Sequence, residues 1–161
     1  MASTAYYASA DADIRKAAGV SDALLTLGRI FIAVMFVMSG IEKFLGIDQT
    51  AQMIASKNLP MPMVAAFATA ALELGGGVLI VLGWQTRMAA LALAAFTAVA
   101  TYFFHDFWNM PPGAEHTNNM IHAMKNLSVI GGFLMLAAVG AGRYSIDGPR
   151  IVHDKRPAKI G

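Results

Sequence analysis

Six residues of this chain could do chemistry inside an apolar body: Lys43, Glu73, His105, Trp108, Lys125 and Asn126. Glu73, His105 and Lys125 can each hold or pass a proton. Lys43, Trp108 and Asn126 can donate hydrogen bonds to an oxygen-bearing ligand. Their surroundings single them out. Lys125 and Asn126 sit in the first third of residues 120–139, an apolar run long enough to cross a membrane, and Glu73 lies near the middle of a second such run. An ionisable side chain in hydrocarbon costs at least a few kcal/mol, so it needs a partner or water and is a functional candidate by default.

The elements that must position these groups are four apolar spans, at about 23–41, 63–82, 88–104 and 120–139. They predict an all-α membrane protein, a four-transmembrane-helix bundle over residues 23–142. At 57% hydrophobic and 14% charged, the chain has too little polar surface to cover four such runs in water; soluble domains carry about a quarter of charged residues. The lipid bilayer is therefore its first partner. A formal charge of +2, with no basic stripe interleaved with aromatics, gives nucleic acid nothing to hold. Cysteine is absent, which excludes disulfides, thiolate metal sites, cysteine-held iron–sulfur clusters and dithiol chemistry. Any electrons must come through a bound cofactor or a partner.

Residues 1–22 lack the apolar core of a signal peptide, and no cleavage site follows the first span. They read as a cytoplasmic tail, and residues 143–161 as a basic cytoplasmic tail. Nine of the twelve Lys and Arg residues fall on the side of the termini: Arg15, Lys16, Arg29, Arg87, Arg143, Arg150, Lys155, Arg156 and Lys159. Lys43, Lys57 and Lys125 are left for the other side. The positive-inside rule then puts both termini in the cytoplasm.

Helical spacing says which polar groups can meet. Ala90, Ala94, Thr97, Thr101 and His105 share a face of the third span; Asn118, His122, Lys125, Asn126 and Val129 share one on the fourth. Ala66, Ala70, Glu73 and Gly77 form a small-residue stripe of the kind that lets membrane helices approach closely. On the first span Arg29, Ala33, Phe36, Gly40 and Lys43 share a face. At about 1.5 Å per residue, Glu73 lies roughly 15 Å and Lys125 roughly 9 Å below the outer ends of their spans, within the combined reach of both side chains. Glu73 is therefore expected to meet Lys125, directly or through water, with Lys43, His105, Asn126 and Thr101 above or beside them. Such a pair can be structural or functional, because removing one partner of a buried pair is costly in either case. Arg29 and Lys43 could each be an interface anchor whose long side chain snorkels outward.

His105 and His122 could ligate a b-type haem, and Met110, His116, Met120, His122 and Met124 could suit Cu(I). Interface histidines and packing methionines account for both sets, so neither haem nor copper is expected and no metal site is assigned.

Four blocks carry a resemblance to the DoxX family of four-helix inner-membrane proteins, in its YqjF-like branch. They are G-R-I-F with S-G-I-E-K-F around the first span, E-L-G-G-G in the second, F-F-H-D-F-W at the end of the third, and M-K-N-L-S-V-I-G-G-F-L-M-L-A in the fourth. A closing R-Y-S-I-D-G also fits. The resemblance covers roughly residues 23–148. It singles out Arg29, Gly40, Lys43, Glu73, Gly76, His105, Trp108, Lys125 and Asn126. It implies a multi-pass protein of a bacterial inner membrane, similar to quinol-oxidase or thiosulfate:quinone oxidoreductase subunits. In that reading Glu73, His105 and Lys125 are catalytic, Lys43, Trp108 and Asn126 bind quinone or quinol, and a partner redox protein supplies electrons; a homo-oligomer is also compatible. The alternative is a non-enzymatic scaffold or small-molecule permease whose polar cluster holds the bundle together.

Overall fold

The computed structural model describes residues 2–148, with side chains from Gly19 onward. Of the basic tail, Arg150, Lys155, Arg156 and Lys159 lie outside the described residues. The helices are α1 (Ala2–Leu45), α2 (Ile47–Ser56), α3 (Pro62–Leu82), α4 (Thr86–Phe104) and α5 (Ala114–Val139), with a short 3₁₀ helix at Phe107–Asn109. Among the described residues four are long and apolar enough to cross a membrane, over Gly19–Leu45, Pro62–Leu82, Thr86–Asn109 and Ala114–Val139. The fold is all-helical among the described residues, as the apolar runs predict. Residues 2–22, expected as a tail, are the leading part of α1.

The segment between the first two expected spans is helical as well. Gly46 breaks α1, and the chain restarts as α2, whose Thr50, Ala51 and Ile54 are buried. Ile47, Ala51 and Ile54 stand at helical spacing, so α2 lays an apolar stripe on Ala65 and Ala66 of α3 and on Phe104. Pro62 then opens α3 in its first turn, where a missing N–H costs nothing.

Around the bundle the spanning helices stand in the order α1, α3, α4, α5, with α1 and α5 meeting to close the ring; among the described residues no Cα of α1 lies within 8 Å of α4. The half nearer the termini is filled by Phe36, Ile80, Leu93, Phe133 and Leu136, with the rings of Phe36 and Phe133 tilted 5.1 Å apart. The half under α2 is less filled.

The end of the bundle at the α3–α4 turn is tied by reciprocal caps. Arg87, in the first turn of α4, donates to the carbonyls of Ala137 and Ala138 at 2.9 Å, satisfying the C-terminal turn of α5. The segment after α5 returns to α4, where Asp147 Oδ2 accepts from the Thr86 backbone N–H at 3.0 Å. That hydrogen bond holds the Asp147 carboxyl below the usual carboxylate range, and the charge of Arg29 acts in the same direction. Arg29 is only 3% exposed and donates to the carbonyls of Ala141 and Tyr144, each at 2.8 Å. It is a buried tie between α1 and the closing segment, not a snorkelling anchor. The R-Y-S-I-D-G block thus helps to close the bundle at this face.

Candidate functional site

In a bilayer, where lipid is as apolar as leucine, close packing rather than hydrophobicity draws helices together, and small residues set how near they come. Gly40 of α1 lies so close to α3 that a Cβ built there would stand 2.5 Å from the Leu74 backbone nitrogen. A Cβ on Gly77 would meet Val37 and the Ala33 carbonyl of α1. This approach carries Lys43, one turn beyond Gly40, onto Glu73, the residue before Leu74. Lys43 Nζ donates to Glu73 Oε2 at 2.8 Å and to Ser39 Oγ at 2.6 Å. The Glu73 side chain is 6% exposed and that of Lys43 28%.

The pair looks into a cavity of ≈ 590 Å³ in the half of the bundle under α2. Its walls are mainly apolar, with Phe36 of α1, Ile54 of α2, Ala65 of α3 and Phe96 and Phe103 of α4. Polar groups enter from four sides: Ser39 and Lys43, Thr69 and Glu73, Thr97 and His105, and Asn126. Asn126 is fixed by donating to Thr101 Oγ1 at 2.8 Å. His105 Nδ1 lies 3.3 Å from Asn119 Oδ1, and Asn119 Nδ2 donates to the Glu115 carbonyl at 3.1 Å. With the amide so turned, the contact favours the His105 tautomer protonated on Nδ1, which leaves Nε2 as the acceptor. The His105 and His122 rings stack nearly parallel, with centroids 5.0 Å apart and planes 12° apart. Over the cavity, Lys57 at the end of α2 pairs with Asp106 after α4, at 3.2 Å.

The structure therefore brings together Lys43, Glu73, His105 and Asn126 and leaves Lys125 and Trp108 outside. The expected partner of Glu73 is corrected: Lys43 holds it, and Lys125, exposed on α5, makes no ion pair among the described residues. Neighbouring positions on a helix point about 100° apart, so when Asn126 turns to the cavity Lys125 cannot. Trp108 is half exposed and rests on Tyr102 and Phe107 in the aromatic belt. Among residues not singled out, Ser39 and Asn119 position Lys43 and His105. Ser39, four residues before Lys43 on one helix, had a legible signal; Asn119 lies four residues from Ala123 on the buried side of α5 and had only periodicity to mark it. No group of three or more His, Asp or Glu side chains stands ready for a metal ion among the described residues.

The DoxX family profile matches residues 24–106. The inner membrane protein YphA of Escherichia coli (strain K12) is 39% identical over 124 residues, covering 77% of this chain and 88% of YphA. The inner membrane protein YqjF of the same organism is 36% identical over 131 residues, 80% of this chain and 92% of YqjF. CatD of Bacillus subtilis (strain 168), named as a candidate oxidoreductase, is 38% identical over 66 residues, 41% of this chain and 48% of CatD. No solved structure matches the chain. The profile spans Lys43, Glu73 and His105, and two relatives align over most of their length, so this chain belongs to the DoxX family.

Proposed function

We propose that this chain is a multi-pass protein of a bacterial inner membrane that binds quinone or quinol in its cavity, as one subunit of a membrane oxidoreductase. The observation that carries this reading is the Lys43–Glu73 pair set into an apolar cavity of ≈ 590 Å³. Small-molecule sites commonly occupy about 300–1,000 Å³, with apolar walls and a few convergent polar groups. The inner-membrane relatives support the location, and the partial likeness to CatD supports a redox role.

A quinone, when bound, supplies a couple of two electrons and two protons. The chain's own residues hold it and manage the protons. Lys43 gives one N–H to Ser39 and one to Glu73, leaving its third for a ligand oxygen. Glu73 Oε1 accepts no hydrogen bond among the described residues, so it is the acceptor for a ligand hydroxyl proton. His105, with Nε2 free, is a second base on the α4 wall. With no cysteine in the chain, electrons come from a partner redox protein.

The test is quinone binding by detergent-purified protein. Wild type should bind, Lys43→Met and Glu73→Gln should each weaken binding at least about ten-fold, near 1.4 kcal/mol, and Lys125→Met should bind as wild type does. A well-folded wild type that takes up no quinone ends the assignment. The same reading puts both termini in the cytoplasm, by the distribution of Lys and Arg. A phosphatase reporter that works only outside the cytoplasm, fused after Gly161, should be inactive; activity there would reverse the topology.

A further inference from the structure

The residues lining the cavity divide sharply by exposure. Four are exposed, and all are apolar: Met35 on α1 at 48%, Met53 on α2 at 60%, Val99 on α4 at 57%, and Pro60 before α3. The polar lining side chains, from Lys43 and Glu73 to His105 and Asn126, are all buried or half-buried. A pocket that fills from water has the reverse arrangement, with polar groups at the mouth and apolar ones at the base. Exposed polar residues are at hand in the α2 segment, namely Gln49, Gln52 and Asn58, yet none of them lines the cavity. On the water-facing side α2 is packed down by Thr50, Ala51 and Ile54, and the Lys57–Asp106 pair joins its end to α4.

From this division we infer that the cavity fills sideways from the bilayer, and that its ligand is a lipid-borne amphiphile with a polar ring and a long apolar tail. The ring reaches the Lys43–Glu73 pair, and the tail leaves over the rim of Met35, Met53 and Val99 into hydrocarbon. The two rim methionines suit a sliding tail, because methionine is unbranched and adaptable and packs against a moving chain without a fixed shape. A tail lying on this rim also stays in the medium it came from, so only the ring has to be accommodated by the protein. The inference rests on the quinone reading and narrows it to quinones with isoprenoid tails, excluding short, water-soluble ones as the physiological ligand.

The chain contains no cysteine, so single cysteines report without background. Met35→Cys, Met53→Cys and Val99→Cys variants in lipid nanodiscs are treated with a lipid-soluble maleimide. Each is treated alone, with a ubiquinone bearing a ten-unit isoprenoid tail, or with the same ring lacking the tail. The tailed quinone should slow labelling at two or more of the rim positions at least ten-fold, and the tail-less ring should not. Val99→Trp, which fills the rim, should weaken binding of the tailed quinone while the melting temperature of the protein is kept. If the tailed quinone binds yet leaves all three rim cysteines unprotected, or if the tail-less ring binds as tightly, the sideways route is overturned and the quinone reading survives. Binding of neither compound overturns both.

Discussion

Lys43→Met is expected to destabilise the folded protein by about 3 kcal/mol, the lower end of the cost of stranding one member of a buried ion pair. Glu73, whose side chain is 6% exposed, would be left without the cation beside it. Lys43 retains some access, which softens the penalty in the reverse variant, Glu73→Gln. The double variant, Lys43→Met with Glu73→Gln, should recover most of the loss, because two neutral side chains of similar shape replace the pair without an orphaned charge. Unfolding in mixed detergent measures all four proteins of the cycle, and quinone binding is read on the same samples. Stability restored with binding still absent makes the pair functional. A double variant that regains both makes it a structural clamp and favours the scaffold alternative.

A disturbance of similar size is expected from a single methyl group at Gly40. Gly40→Ala places a Cβ 2.5 Å from the backbone nitrogen of Leu74, an obstacle that cannot rotate aside, so α1 and α3 must separate. Overpacking of this kind costs about 1–3 kcal/mol and sometimes more, and against backbone the upper end is expected. The separation also draws Lys43 away from Glu73, so quinone binding should fall with stability. Gly75→Ala is the control: nothing lies within 4 Å of a Cβ there. It should be neutral or slightly stabilising, since alanine is the better helix former by about 1 kcal/mol. Equal effects of the two substitutions would mean that the α1–α3 contact does not set the geometry of the pair.

Much of this was legible in the chain. Four apolar runs of about 20 residues determine a helical membrane bundle, because a helix of that length crosses the bilayer and satisfies its own backbone groups there. Periodicity places Ala66, Ala70, Glu73 and Gly77 on one face of α3, and all four are buried. It likewise places Thr97, Thr101 and His105 along one side of α4. Helix α2 is half legible: Ile47, Ala51 and Ile54 repeat at helical spacing, but the stripe is short and polar residues stand between them.

The partner of Glu73 was decided only by tertiary structure. Depth along a helix axis limits which residues share a level, and Lys43 and Lys125 both lay within reach of Glu73. The choice between them depends on how far apart the helices stand and how each is rotated about its axis. Those two quantities come from the contact of Gly40 with Leu74 and from the turn of Asn126 towards Thr101, which no single helix contains. The burial of Arg29 has the same origin, since its acceptors lie 112 and 115 residues further along the chain. Sequence determined the spans, their inward faces and most of the groups that line the cavity; packing between helices decided which of those groups touch.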